Sequence, residues 1–251
     1  MQTNTLRASL SAHKEMKTFY SNSFDRLTGG HTVTWNTQGK EHRIKSHIRF
    51  TDFEGHWPDL GNVRFLPKMV KSWWESRNTF ILDEPVPFLV YESIEFLEGL
   101  VRPGMKVLEV GGGNSSLWFL SKGVNLTTIE HDWQWADTVC TQARNRFGGD
   151  VMERFNMQVI EGEEAYEFIQ QQEADFDLVL VDGMNHFTSR NKCVELSLPK
   201  VKQSGWMVID NSDHPINWQG VDHMKAYEKI RFTGYAPMNL FVSQTCFWQI
   251  K

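Results

Sequence analysis

Apolar residues in the last two thirds of this chain fall in short runs, most of them crossed by one or more polar residues. Such runs occur at Met105–Val110, 124–130, 155–160, 176–183 and 205–211. Each is too short for a packed helix, and a strand buried on both faces by a parallel sheet reads this way. Between the runs, apolar positions recur at helical spacing. In 88–100 they are Leu89, Val90, Ile94, Phe96, Leu97 and Leu100. Further helices are expected over 133–147, 163–172, from Arg190 to about 201, and over 219–230. Two closing strands, 231–235 and 243–250, read as an antiparallel hairpin. The alternation predicts an α/β fold: a seven-stranded, mostly parallel sheet with helices on both faces.

The first eighty residues follow other patterns. A helix is expected over 5–27, stopped by Gly29-Gly30. Alternation over 31–35 and 42–50, about Gln38-Gly39-Lys40, predicts a hairpin. A loop over 52–62 and a helix over 69–77 follow. We take 1–84 as an N-terminal α+β appendage, a substrate cap or packing element, and 85–251 as the domain that carries the chemistry.

That chemistry centres on Glu109-Val110-Gly111-Gly112-Gly113-Asn114-Ser115-Ser116, where a buried strand turns on glycines into a helix. A glycine turn lets backbone approach a ligand closely, and the amides opening the helix favour negative or electron-rich groups. In the dinucleotide fingerprint the third small residue packs helix on strand, and here that position is Ser116. Glu109 would repel a pyrophosphate but suits a ligand bearing an ammonium or a sulfonium. S-adenosylmethionine (SAM) bears both. The stretch resembles the first motif of class I SAM-dependent methyltransferases, which have a Rossmann-like sheet. Glu130 ends the next strand, 19 residues after Gly111, where a carboxylate can accept ribose hydroxyls. Glu130-His131-Asp132, with Trp135 after it, resembles that family's second motif, so His131 joins the cofactor set and Trp133 or Trp135 could line the adenine or simply pack. The resemblance also implies that the loop of Gly162 and Glu163 meets the adenine.

Asp182 ends the next apolar run, and Asp210-Asn211 the one after it. They stand 28 residues apart, one βαβ crossover, so both carboxylates should emerge at one sheet edge. Asp182, near both ligands, is counted with the cofactor set as well. Two carboxylates and an amide oxygen suit Mg²⁺, and Asp182, Asp210 and Asn211 resemble the metal set of catechol O-methyltransferase-like enzymes. Against that, His186 lies four residues past Asp182 rather than beside it. Asp182-Gly183 with His186, and Asp210-Asn211-Ser212-Asp213, also resemble uncharacterised methyltransferases not established as metal enzymes. Asp182 and His186 are then the candidates for proton removal, with Asp210 and Asn211 holding the acceptor or a metal. Capping and turn formation are the structural alternative for Asp210-Asn211.

The net charge of −5 hides an asymmetry: residues 1–80 hold 12 Lys/Arg against 7 Asp/Glu, and the other 171 hold 14 against 24. So mild a basic excess reads as solvated surface rather than a nucleic-acid interface. Five of nine histidines (His13, His31, His42, His47, His56) precede residue 80 without metal-ligand spacing. Three scattered cysteines, no apolar run near the roughly 18 residues of a span, and no signal-peptide core lead us to expect a reduced, cytoplasmic setting without a membrane partner. The expected function is methyl transfer from SAM, with Mg²⁺ as an optional cofactor, to oxygen of a small molecule or saccharide. A nicotinamide-dependent oxidoreductase and a non-catalytic SAM-binding module are the rivals.

Overall fold

The computed structural model describes residues 49–76, 81–183 and 189–251 with their side chains, and the backbone of three earlier strands. These are β1 (Ser21–Phe24), β2 (Gly30–Thr37) and β3 (Lys40–His47), an antiparallel sheet in chain order. β2 and β3 are the expected hairpin, registered from Gly30↔His47 to Thr37↔Lys40. The helix expected over 5–27 lies outside the described residues up to 20. Its later part departs from expectation, because Ser21–Phe24 pairs with β2 as a strand. A weak helical period yields there to cross-strand pairing, as propensity does to tertiary context.

Three helices follow: α1 (Leu60–Val63), α2 (Leu66–Glu75) and α3 (Tyr91–Leu100). The main sheet is built from β4 (Lys106–Val110), β5 (Asn125–Glu130), β6 (Phe155–Val159), β7 (Phe176–Val181), β8 (Val201–Asp210), β9 (Lys229–Tyr235) and β10 (Val242–Gln249). Its order is β6-β5-β4-β7-β8-β10-β9. β4 to β8 run parallel, and β10 lies antiparallel between β8 and β9. The crossovers are α4 (Asn114–Ser121), α5 (Trp133–Phe147), α6 (Gly162–Gln171) and α7 (Arg190–Ser197), and α8 (Trp218–His223) leads to β9. The helix expected over 219–230 is cut short at His223, because Ile230 pairs with Phe247 in the closing sheet.

Strand residues alternate between two cores, which is why both faces read as apolar. Val107, Leu178, Leu180, Val208 and Phe247 pack with Leu97, Leu117 and Val139 from α3, α4 and α5. Leu108, Val110, Val179, Val181 and Ile209 pack with Ala165, Ile169 and Val194 from α6 and α7. Burying each such large side chain stabilises the fold by about 1.5–3 kcal/mol.

Residues 49–76 join this body. Phe65 and Met69 enter the first core. Asp59 exchanges hydrogen bonds with Thr233 of β9, donating through its amide (2.8 Å) and accepting on Oδ2 (2.7 Å). Asn62 Nδ2 donates to Glu92 Oε2 of α3 at 2.7 Å. A boundary at 84/85 would cut all of these.

The register decides where the chemistry gathers. Val110 pairs with Ile129 and with Val181, and Val181 with Ile209. The next residues, Gly111, Glu130, Asp182 and Asp210, therefore leave the carboxyl edge of four adjacent parallel strands side by side, where open α/β sheets bind ligands.

Candidate functional site

At β4 the turn is held by side chains from below. Gly111 has φ +94°, and a Cβ there would lie 2.4 Å from the Cα of Gly183, so only glycine fits. Gly112 donates its amide to Glu130 Oε2 (3.0 Å), and Gly113 donates to Ser116 Oγ (2.9 Å). Ser116 passes its own hydrogen to Glu109 Oε2 (2.5 Å), which also accepts from Thr128 Oγ1 (2.8 Å). Glu109 is wholly buried, and its Oε1 has no hydrogen-bond partner. Burial pushes its carboxyl up to about 7, against the pull of the hydroxyls of Ser115, Ser116 and Thr128. Asn114 Nδ2 donates to the carbonyl of Ile81 (2.7 Å), which brings residues 81–83 over the turn, while its Oδ1 is buried and unpartnered.

Glu130 ends β5 as expected and is engaged with its own loop. Its Oε1 accepts from the amides of His131 (2.8 Å) and Asp132 (2.9 Å) and lies 2.8 Å from His131 Nδ1. That bond raises the His131 pKa. Trp135 donates Nε1 to the Gly112 carbonyl (2.7 Å) and lies over Gly113, whereas Trp133 is 60% exposed. Gly162 opens α6 at φ +53°, and Glu163 beside it is exposed.

At the tips of β7 and β8, Asp182 and Asp210 directly follow the paired residues Val181 and Ile209. Burial raises both pKa values, and that of Asp210 also rises because of the Asp182 charge. Thr245 Oγ1 donates to Asp210 Oδ1 (2.6 Å), and Arg190 Nη2 to Asp182 Oδ1 (3.2 Å). The Asp182 side chain keeps 22% of its surface open, while Asp210 is buried. Asn211 turns the chain at φ +47°, a conformation asparagine tolerates, and its carbonyl accepts from the His214 amide and from Asn217 Nδ2. His186 lies outside the described residues.

Residues 108–212, from β4 to just past β8, match the family model described as a methyltransferase domain. No curated protein matches the chain. Among solved structures, the O-methyltransferase TomG from Streptomyces achromogenes, involved in tomaymycin synthesis and solved with SAM, superposes with a TM-score of 0.53 at 18% identity. The match covers 77% of this chain and 100% of that one. An O-methyltransferase from Bacillus cereus, solved with SAH, gives 0.49 at 15% identity over 75% of this chain and 91% of its own. The fold is that of the class I methyltransferases.

The main-sheet body receives a loop from the preceding segment that the sequence did not place. Phe53 donates its amide to Asp213 Oδ2 (2.9 Å), and Gln244 Nε2 donates to Asp52 Oδ2 and Glu54 Oε2 (3.0 Å each). Asp52 Oδ1 accepts the amides of Glu54 and His56, and its Oδ2 lies 3.0 Å from His56 Nδ1. Burial works against the Asp52 charge, but the His56 and Gln244 bonds outweigh it and lower its pKa. Ligand atoms of Asp52, Glu54 and His56 fall within 4.8 Å of one another, a grouping these hydrogen bonds account for without an ion. A cleft of about 480 Å³ lined by Lys106, Asn125 and Phe176 opens at the opposite, amino-terminal edge of the strands and holds no candidate residue. Thr245 and Arg190 are the site residues that sequence reasoning missed as such. Arg190 carried one signal, a cation eight residues after an acid at a strand tip.

Proposed function

We propose that the chain transfers the methyl group of SAM to an oxygen of a small-molecule acceptor, a saccharide included. One observation supports this above others: the glycine turn with Glu109 and Glu130 stands at the same sheet edge as the Asp182–Asp210 pair. SAM supplies an electrophilic methyl on a cationic sulfur. The turn fits such a ligand, since the buried Glu109 Oε1 beneath it lacks a partner. Glu130 is the ribose-binding candidate and would exchange the Gly112 amide for hydroxyls. Asn114, Ser115, Ser116, His131, Gly162 and Glu163 complete the cofactor set we assign.

Asp182, the more exposed member of its pair, is the group we assign to take the acceptor proton, with the buried Asp210 beside it. The residues fit Mg²⁺ poorly. Arg190 already sits on Asp182, and Thr245 on Asp210. We therefore read the reaction as metal-free, with His186 the alternative base.

Purified protein with labelled SAM and a panel of phenolic, hydroxylated and saccharide acceptors tests the reading. Labelled product whose formation persists in chelator and is lost in Asp182→Asn is the expected result. The rate should rise with pH above 3.8, the ordinary aspartate value, because the Asp182 pKa is raised. Chelator-sensitive turnover restored by Mg²⁺ would overturn the metal-free version. A shift of base to His186 would show as activity surviving Asp182→Asn but not His186→Ala.

A further inference from the structure

The tips of β7 and β8 are joined by a side chain that belongs to neither strand. Past the Val181↔Ile209 pair the parallel ladder between β7 and β8 ends, so the carbonyls of Asp182, Gly183 and Asp210 are not joined between these two strands. Arg190, at the start of α7 and 9% exposed, meets all three. Nη1 donates to the Asp210 carbonyl (2.8 Å), Nη2 to the Asp182 carbonyl (3.0 Å) and to Oδ1 (3.2 Å), and Nε to the Gly183 carbonyl. A rigid fork of five N–H donors can serve such a set, and a lysine ammonium cannot span it. The clamped turn then touches the glycine turn: Gly183 is the residue a Cβ on Gly111 would strike.

We propose that Arg190 is a positioning residue for methyl transfer, fixing the Asp182–Gly183 turn against Gly111. It thereby sets the separation between the turn that holds the cofactor and the carboxylates that face the acceptor. The proposal rests on the functional reading above. In-line transfer is sensitive to that separation, since misplacement by about 1 Å can cost roughly a hundredfold in rate. Removing the fork leaves both acids present but frees the turn that carries one of them.

The test uses full-length Arg190→Lys and Arg190→Gln proteins, with melting temperature, SAM affinity by calorimetry, and kcat measured for each. We expect Arg190→Lys to fold, to bind SAM within about threefold of wild type, and to lose kcat on the order of a hundredfold. A kcat within about threefold of wild type in a folded Lys variant overturns the proposal. So does a parallel fall in kcat, SAM affinity and melting temperature, which would make Arg190 a stability residue only. Hydrogen exchange needs no acceptor: amides at 111–113 and 182–183 should exchange at least about tenfold faster in Arg190→Lys, with those of β5 and β6 unchanged. Exchange unaltered at both turns also overturns the proposal. Failure of wild-type protein to bind SAM would sink the functional reading, while the exchange comparison would still decide whether the clamp exists.

Discussion

At the scale of single residues, Glu109 shows how a strand end can store a charge. Desolvation raises its pKa from 4.5 to about 7, so the folded state binds this proton more tightly than the unfolded chain. Its contribution to stability is whole below 4.5 and is lost as pH rises to about 7, by about 3 kcal/mol at 1.36 kcal/mol per unit. Glu109→Gln cannot ionise, so its stability relative to wild type should gain about that amount between pH 4.5 and 7.5; denaturant melts at several pH values measure it. A gap that stays constant with pH would remove Glu109 as the titrating group. If the SAM cation stabilises the Glu109 carboxylate, binding near pH 7 should release a fraction of a proton. Calorimetry in buffers of different ionisation enthalpy reads this, and Glu109→Gln should abolish it. Glu130→Ala should weaken SAM binding roughly ten- to a hundredfold, the value of about 1.5–3 kcal/mol for a charged hydrogen bond. An unchanged affinity in a folded variant would take Glu130 out of the site.

At the scale of elements, the loop after β3 is held to β10 through the carboxylates of Asp52 and Glu54, both on Gln244. Asp52 accepts two amides of its own loop, approaches the His56 ring and accepts from Gln244 across the fold. Its lowered pKa means that this stabilisation is present above 3.8 and lost as pH falls through the folded value. Asp52→Ala should destabilise by about 3 kcal/mol, because it leaves the buried Gln244 amide short of an acceptor. The loop should then become protease-sensitive at 52–57 while SAM affinity holds. Limited proteolysis alongside calorimetry checks both; loss of SAM binding would mean that the loop reaches the cofactor turn. α2 shows the same integration by packing, with Met69 in the core and Ser72 Oγ receiving hydrogen bonds from Tyr91 and from the Met238 amide.

At the scale of the whole molecule, we place the boundary of the catalytic body near residue 48 rather than 84. Phe65, Met69 and Leu82 belong to its first core, and Arg49 Nη2 bonds the Val242 carbonyl at 3.1 Å. Removing residues 1–48 should leave a folded, SAM-binding protein. Removing 1–80 takes out two core side chains, at about 2–5 kcal/mol each, plus the Asp59–Thr233 pair, and should leave it aggregated or molten. Circular dichroism and SAM calorimetry on both truncations decide the matter. A well-folded protein lacking 1–80 would restore the later boundary. Among the described residues, no helix is long and apolar enough to cross a membrane.

The sheet was legible in the sequence because its strands are buried on both faces. Such strands need continuous apolar runs, and each of the first five predicted runs became a strand within a few residues of its expected ends. The glycine turn was equally legible, since Gly111 has no room for a side chain beside Gly183 and φ +94° admits few other residues. The acids at strand ends could be located because parallel register carries sequence position to a common edge. Sequence alone did not reveal what those acids touch. That Arg190 ties the carbonyls of Asp182, Gly183 and Asp210, and that Asp52 reaches Gln244 192 residues away, both depend on side chains converging from separate elements. Helical period was a poor guide where pairing competed with it, at 21–24 and at Ile230. Local pattern reports whether a segment is buried; which partners bury it is decided only when the chain closes on itself.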